Sequence, residues 1–139
     1  TGQKGWSFIE RAYNFDSAAG IDYTVDVTKP FGSRIVITSM ADGKPFNMDE
    51  TYNVAMTSYR ASGGGGLLAE VGIDTDKIAE RTVEYYPEIR EILYEYLKKN
   101  RVIDPAVIGD PAKIGHWSFV PENIAGPAIE RDINLIFKK

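Results

Sequence analysis

The chain has 139 residues, 43% of them hydrophobic, which suits one compact domain able to bury roughly two-thirds of its unfolded surface. A formal net charge of -4 argues against a general binder of nucleic-acid polymers or anionic membranes, because neither polyanion would be attracted at long range. Cysteine is absent, so disulfides and thiolate metal sites are excluded, and no apolar run reaches membrane-spanning length.

The N-terminal Thr1-Gly2-Gln3-Lys4-Gly5-Trp6 has neither the charged start nor the apolar core of a signal peptide, and no initiating methionine. Trp6, Phe8, Ile9, Tyr13 and Phe15 follow at once. Such an aromatic-rich start is expected to continue something packed upstream, so the chain reads as a fragment, a single domain or most of one. Phe8 to Asn14 fits a strand or a short helix. After a bend at Gly20, Ile21, Tyr23, Val25 and Val27 alternate with Asp22, Thr24, Asp26 and Thr28, the pattern of a half-buried strand. Its two carboxylates have no histidine or third acid nearby, so they read as a solvated face rather than a metal or acid-base pair.

Lys29-Pro30-Phe31-Gly32 is a turn, because proline presets φ and glycine tolerates the reversal, and Ile35 to Ile37 make the returning strand of a hairpin. Asp42-Gly43, between Met40 and Phe46, is a second hairpin signal, and Tyr52 to Tyr59 reads as a further strand in which Val54 and Met56 face one side. Three or more antiparallel neighbours with one apolar face need a cover. Thr82 to Tyr85 is rich enough in β-formers for another strand. The cover is expected from a helix over Pro87 to Asn100: Pro87 opens the first turn, Glu88 suits its positive end, and Lys98 and Lys99 suit its negative end. Ile89, Ile92, Leu93, Tyr96 and Leu97 form its apolar stripe, with Arg90, Glu91 and Glu95 toward water. Beyond Asn100, Pro105, Pro111, Pro121 and Pro127 punctuate the chain, and Trp117 to Val120 and Ile133 to Phe137 read as strands. His116, the only histidine, reads as a packed or partly exposed ring. The fold class is α+β, a mixed and largely antiparallel sheet covered by helices.

One stretch points to chemistry. Tyr59 and Arg60 precede four consecutive glycines, Gly63 to Gly66, after which Leu67, Leu68 and Val71 suggest a short helix. Glycine removes every Cβ where the chain breaks, so the backbone can turn sharply and approach a ligand, and an aromatic face beside bare backbone suits a planar one. The loop is not a Walker cradle, since Gly66 is followed by Leu67 rather than lysine. It is not a dinucleotide fingerprint either, because no third glycine stands at the required spacing. On composition alone a merely flexible loop stays open.

Tyr13-Asn14-Phe15-Asp16, Gly20-Ile21-Asp22-Tyr23, Val25-Asp26-Val27-Thr28, Arg34-Ile35, Asp42-Gly43-Lys44-Pro45 and Tyr59-Arg60-Ala61-Ser62-Gly63-Gly64-Gly65 recur in one order. Together they resemble the C-terminal domain of the 5′-nucleotidase family, and more narrowly its bifunctional 2′,3′-cyclic-nucleotide 2′-phosphodiesterase/3′-nucleotidase branch. The likeness covers most of Tyr13 to Trp117.

The resemblance implies a parent with a two-metal phosphoesterase domain upstream and a C-terminal domain that binds the nucleoside between two aromatic rings. Tyr59 matches the second ring; the first, with the phosphate-holding arginines of 5′-nucleotidases, would lie before Thr1. Implied substrate contacts are Tyr59, Arg60, Ser62, Gly63, Gly64 and Gly65, with Ser58 a further hydroxyl; Arg60 would either approach a phosphate or brace the loop. The 5′-nucleotidases carry an aspartate in the glycine loop where this chain has Gly65, and its loss makes room for a phosphate on the 2′ and 3′ oxygens. No catalytic residue, metal site or cofactor is expected in this segment, which alone should be inactive; a divalent metal pair is expected in the upstream domain. Expected partners are a nucleotide or nucleoside and that domain, with no nucleic-acid polymer or membrane contact. The family implies a periplasmic, cell-surface or secreted protein. Two other classes stay open, a sugar- or peptide-binding module and a purely structural domain.

Overall fold

The structure, a computed structural model, describes residues 12–102, 104 and 115–137. In chain order these form a 3-10 turn at Ala12–Asn14, strands β1 (Ile21–Asp26) and β2 (Ile35–Met40), and helices α1 (Ser58–Ala61) and α2 (Leu67–Glu70). A 3-10 turn at Thr75–Lys77 leads to helices α3 (Ile78–Arg81) and α4 (Ile89–Asn100), strand β3 (Trp117–Val120) and helix α5 (Glu122–Phe137). They group into two compact units, one holding the residues up to Met48 and those of β3 and α5, the other holding Asp49 to Pro111. Part of the N-terminal stretch whose strand or helix character was open, Phe8 to Arg11, and both Pro105 and Pro111 lie outside the described residues.

The first unit is a three-stranded mixed sheet in the order β2-β1-β3. The hairpin forms as expected, β1 antiparallel to β2, with Ile21 opposite Met40 and Val25 opposite Ile35. Asp22 pairs with Ser39 but Tyr23 with Ile37, so Thr38 is an extra residue, and its hydroxyl donates to the Asp22 carbonyl at 3.0 Å. The Pro30-Phe31-Gly32 reversal is closed by the Asp26 N–H donating to the Arg34 carbonyl at 2.7 Å and by Arg34 Nε donating to the Lys29 carbonyl at 2.9 Å.

The third neighbour differs from expectation. Asp42-Gly43 does turn the chain, with the Gly43 N–H on the Met40 carbonyl at 2.9 Å and the Met40 N–H on the Lys44 carbonyl at 2.8 Å. No ladder continues from it among the described residues, and 51–57 is not a strand. Instead β3 returns from far along the sequence and lies parallel to β1, Tyr23 opposite Trp117 and Val25 opposite Phe119. Alternating side chains favour extended backbone, but a strand exists only where a partner completes its hydrogen bonds. The same reason accounts for Thr82 to Tyr85, which is also not a strand.

The core of this unit centres on Tyr23, 8% exposed, whose hydroxyl oxygen accepts the Ala18 N–H at 3.3 Å. Its ring lies against Trp117, centroids 5.9 Å apart and planes within 8°, while His116 meets it edge-on at 6.3 Å. Trp117 in turn meets Phe119 at 5.1 Å and Phe15 at 6.0 Å. Each such pair adds about 0.5–1.5 kcal/mol beyond the area it buries. His116 is therefore a packed ring, as the sequence suggested.

Helix α5 packs against β3 and buries Ala125 to 2% exposure. Its last turn is the Ile133 to Phe137 segment read from sequence as a strand, a correction with an identifiable cause. Ala125, Ala128 and Ile136 are its less exposed apolar positions and follow a helical spacing, but Gly126 and Pro127 mask it. Pro127 cannot donate to the Asn123 carbonyl one turn back, yet the helix runs through.

The second unit contains α1 to α4. Helix α4 matches its expected span to within two residues: its N-cap is Glu88, so Pro87 precedes the cap instead of opening the first turn. Lys98 and Lys99 occupy the last turn, where the helix dipole favours cations. Its stripe residues Ile92, Leu93, Tyr96 and Leu97 are exposed. Within its own unit the helical partner of the sheet is α5, whereas α4 belongs to the other unit.

Candidate functional site

The Tyr59 to Gly66 segment is a turn of helix followed by a tightly wound glycine loop. Thr57 caps α1, its Oγ1 accepting the Arg60 N–H at 3.3 Å and its carbonyl the Ala61 N–H at 3.0 Å. A threonine ahead of Ser58-Tyr59-Arg60 is a helix-start signal, which wins over the alternation that suggested a strand up to Tyr59. Tyr59 thus projects from a helical turn rather than a strand end.

The loop then winds back onto the helix. The N–H groups of Gly63, Gly64 and Gly66 donate to the carbonyls of Arg60, Tyr59 and Gly63 at 3.0, 2.8 and 3.0 Å. Gly63, Gly65 and Gly66 have φ of 94°, 78° and 74°, the left-handed region where a Cβ is strained. Gly64 has a different reason to be glycine: a Cβ there would sit 2.5 Å from both Cζ and the carbonyl oxygen of Tyr59. The phenol ring therefore rests directly on the Gly64 backbone. At Gly63 a Cβ would meet Thr75 Oγ1 at 3.4 Å, so the turn after α2 flanks the loop.

Tyr59 is 55% exposed, so its phenol is presented and not sealed in the interior. The Arg60 guanidinium lies 5.4 Å from the ring centroid, and its Nη1 donates to the Gly64 carbonyl at 3.0 Å. The Ser62 hydroxyl donates to the Tyr59 carbonyl at 3.1 Å. Tyr59, Arg60, Ser62, Gly63 and Gly64 are thereby joined by contacts within one loop, which Gly65 completes through its left-handed φ. Sequence reasoning missed Thr57 and Thr75. The first carried a local signal, its place before a helical turn; the second comes from a later turn and carried none.

The geometry limits what the loop can do. A phosphate cradle needs amide hydrogens pointing outward together. Here three of the four glycine amides are turned toward the chain's own carbonyls, so the loop is built to support a ring. Leu67 to Glu70 does form the short helix expected after the glycines.

The other motif residues make structure. Asp22 Oδ2 accepts the Ser39 hydroxyl at 3.0 Å across the hairpin. Asp26 Oδ1 accepts the Thr28 hydroxyl at 2.6 Å and the Thr28 N–H at 2.9 Å, and these bonds, the hydroxyl's first, hold its carboxyl below the usual carboxylate range. Asp42 is lowered likewise by Lys44, whose Nζ lies 2.6 Å away. Among the described residues no group of three His, Cys, Asp or Glu side chains converges to hold a metal.

Comparison with known proteins agrees with these motifs. The family that matches is described as "5′-nucleotidase, C-terminal domain", over residues 3–71. The trifunctional nucleotide phosphoesterase protein YfkN of Bacillus subtilis is 31% identical over 140 residues, covering 92% of this chain and 8% of that protein. The 2′,3′-cyclic-nucleotide 2′-phosphodiesterase/3′-nucleotidase of Haemophilus influenzae is 29% identical over 140 residues, covering 87% of this chain and 19% of the relative. The chain thus spans less than one-fifth of the length of either curated relative. No solved structure matches. Through residues 3–71, which include both the hairpin and the glycine loop, the chain belongs to the 5′-nucleotidase C-terminal domain family.

Proposed function

We propose that this chain is the nucleoside-binding part of a larger metal-dependent nucleotide hydrolase, acting on 2′,3′-cyclic nucleotides and nucleotides. The observation that carries the reading is Tyr59, a ring 55% exposed yet fixed from below by a glycine that tolerates no Cβ. A presented, immobilised aromatic face stacks on a nucleobase for about 1–3 kcal/mol and reads flatness, so base preference is broad. The Ser62 hydroxyl, whose hydrogen is directed to the Tyr59 carbonyl, keeps lone pairs for a sugar hydroxyl. Gly63, Gly64 and Gly65 keep the approach clear of side chains. The names of the relatives, a nucleotide phosphoesterase and a cyclic-nucleotide phosphodiesterase/nucleotidase, support phosphate-ester hydrolysis as the parent reaction.

In this reading the bond-breaking step belongs to a metallophosphoesterase domain outside the segment. The chain's own residues bind and orient the nucleoside and exclude water from its base. Gly65 in place of a carboxylate favours the cyclic branch, because a negative charge beside the 2′ and 3′ oxygens would repel a phosphate carried there. Calorimetric titration of the intact protein with 5′-AMP, 2′,3′-cyclic AMP and simple sugars tests the proposal. Saturable binding of both nucleotides with none of the sugars is expected. Binding of a sugar alone would assign a carbohydrate module instead, and no binding of any ligand would leave the loop a purely structural turn.

A further inference from the structure

We propose that Arg60 is a positioning residue that acts through Tyr59, and that it does not hold the phosphate of the substrate. The inference rests on the nucleoside-binding reading above and assigns the second of the two roles that the sequence left open for this arginine. Three contacts carry it. The guanidinium lies 5.4 Å from the centroid of the Tyr59 ring, within the range of a cation-π contact. Its Nη1 donates to the Gly64 carbonyl at 3.0 Å, in a partly buried setting. Gly64 is the residue on which the Tyr59 ring rests, since a Cβ there would lie 2.5 Å from Cζ. One planar cation therefore ties the ring to its own support, while its backbone N–H is anchored on the Thr57 cap.

A phosphate ligand would need the guanidinium fork directed outward for bidentate bonding, in company with outward-pointing amides. Here the guanidinium carbon lies over a ring and one of its nitrogens is bonded to the loop's carbonyl. The glycine amides nearby, at Gly63, Gly64 and Gly66, point to chain carbonyls as well. The arrangement orients an aromatic platform and offers little to an anion. A preorganised ring loses less freedom when a base docks, so the effect of Arg60 should appear in affinity for anything that carries a base, with or without a phosphate.

The test compares adenosine with 5′-AMP, by calorimetry on the intact wild-type protein and on its Arg60→Gln and Arg60→Lys variants. Both variants are expected to weaken adenosine and AMP by the same factor, about three- to tenfold. Lysine keeps the charge but not the planar fork, so it should not rescue. In steady-state hydrolysis KM should rise by that factor with kcat unchanged, and the Tyr59 ring resonances should shift in ligand-free Arg60→Gln. Loss of AMP affinity with adenosine unaffected, or rescue of AMP binding by lysine, overturns the proposal by making Arg60 a phosphate ligand. Unchanged affinity for both ligands overturns it by removing any role. Should Arg60→Gln fail to fold, the Arg60→Lys comparison decides alone. A wild-type protein that binds neither ligand sinks the nucleoside reading and this inference together; a wild type that binds both, with variants impaired for AMP only, sinks this inference alone.

Discussion

Tyr23 and Tyr59 are the same side chain in opposite settings. Tyr23 is 8% exposed, packed against Trp117, with its hydroxyl oxygen accepting the Ala18 N–H. Tyr59 is 55% exposed, supported by Gly64 and Arg60 and otherwise turned toward solvent. The first ring is held by Trp117 of the neighbouring strand and by His116 just before it. The second is held by the smallest residue and by a cation, which fix it without covering it. Burial makes the first ring structural, and immobilisation without burial is what the proposed stacking role asks of the second.

Substitutions should separate the two roles. The largest effect is expected for Tyr23→Ala, which removes the centre of the aromatic cluster and should destabilise the protein by about 3 kcal/mol, read from denaturant unfolding. Binding by the folded fraction should be unchanged. Tyr59→Ala should reverse the pattern: stability altered by under about 1 kcal/mol, but KM raised about tenfold or more with kcat nearly constant, because stacking is alike in ground and transition states. A Tyr59→Ala protein that keeps wild-type KM would remove the platform role.

Gly65→Asp is expected to act more weakly, lowering kcat/KM for 2′,3′-cyclic nucleotides about fivefold more than for 5′-nucleotides, as one added charge near a phosphate in a wet site would. Aspartate tolerates a left-handed φ better than most residues, so the fold should accept it despite the 78° at this position. Equal losses on both substrate types would dissolve the case for the cyclic branch.

Smallest is Asp26→Asn, which weakens the Thr28 turn in the sheet unit and should leave nucleotide binding untouched. Because folding lowers the Asp26 pKa, the carboxylate contributes stability above its unfolded pKa, and that contribution is lost as pH falls through the folded value. The Tm difference between wild type and Asp26→Asn should thus be fully present at neutral pH and shrink below about pH 4. A difference independent of pH would mean that the asparagine loses something other than the ionised acceptor.

The hairpin was legible because local signals agreed: alternation from Ile21, a proline-glycine turn, and a second β-rich run. Helix α4 was legible through its stripe and its terminal charges. Parallel pairing with β3 was not, since nothing in Trp117 to Val120 says which strand it will join or in what direction. Helix α5 was hidden by Gly126 and Pro127, which local preference counts against a helix that packing on β3 retains. At the candidate site the residue types were readable and the shape was not. Four glycines announced a turn, but only the folded loop distinguishes Gly64, which is small to seat a ring, from Gly63, Gly65 and Gly66, which are small to bend the chain. The cap at Thr57 was written plainly and lost to a competing strand pattern over Tyr52 to Tyr59.

On the nucleoside-binding proposal, the inward-facing amides of Gly63, Gly64 and Gly66 also bear on release after the nucleotidase step, which frees a nucleoside and orthophosphate. Orthophosphate finds no ring of donors there, so free phosphate should compete poorly with a flat ligand at this loop. The departing nucleoside, rather than the anion, would then be the species that lingers and inhibits.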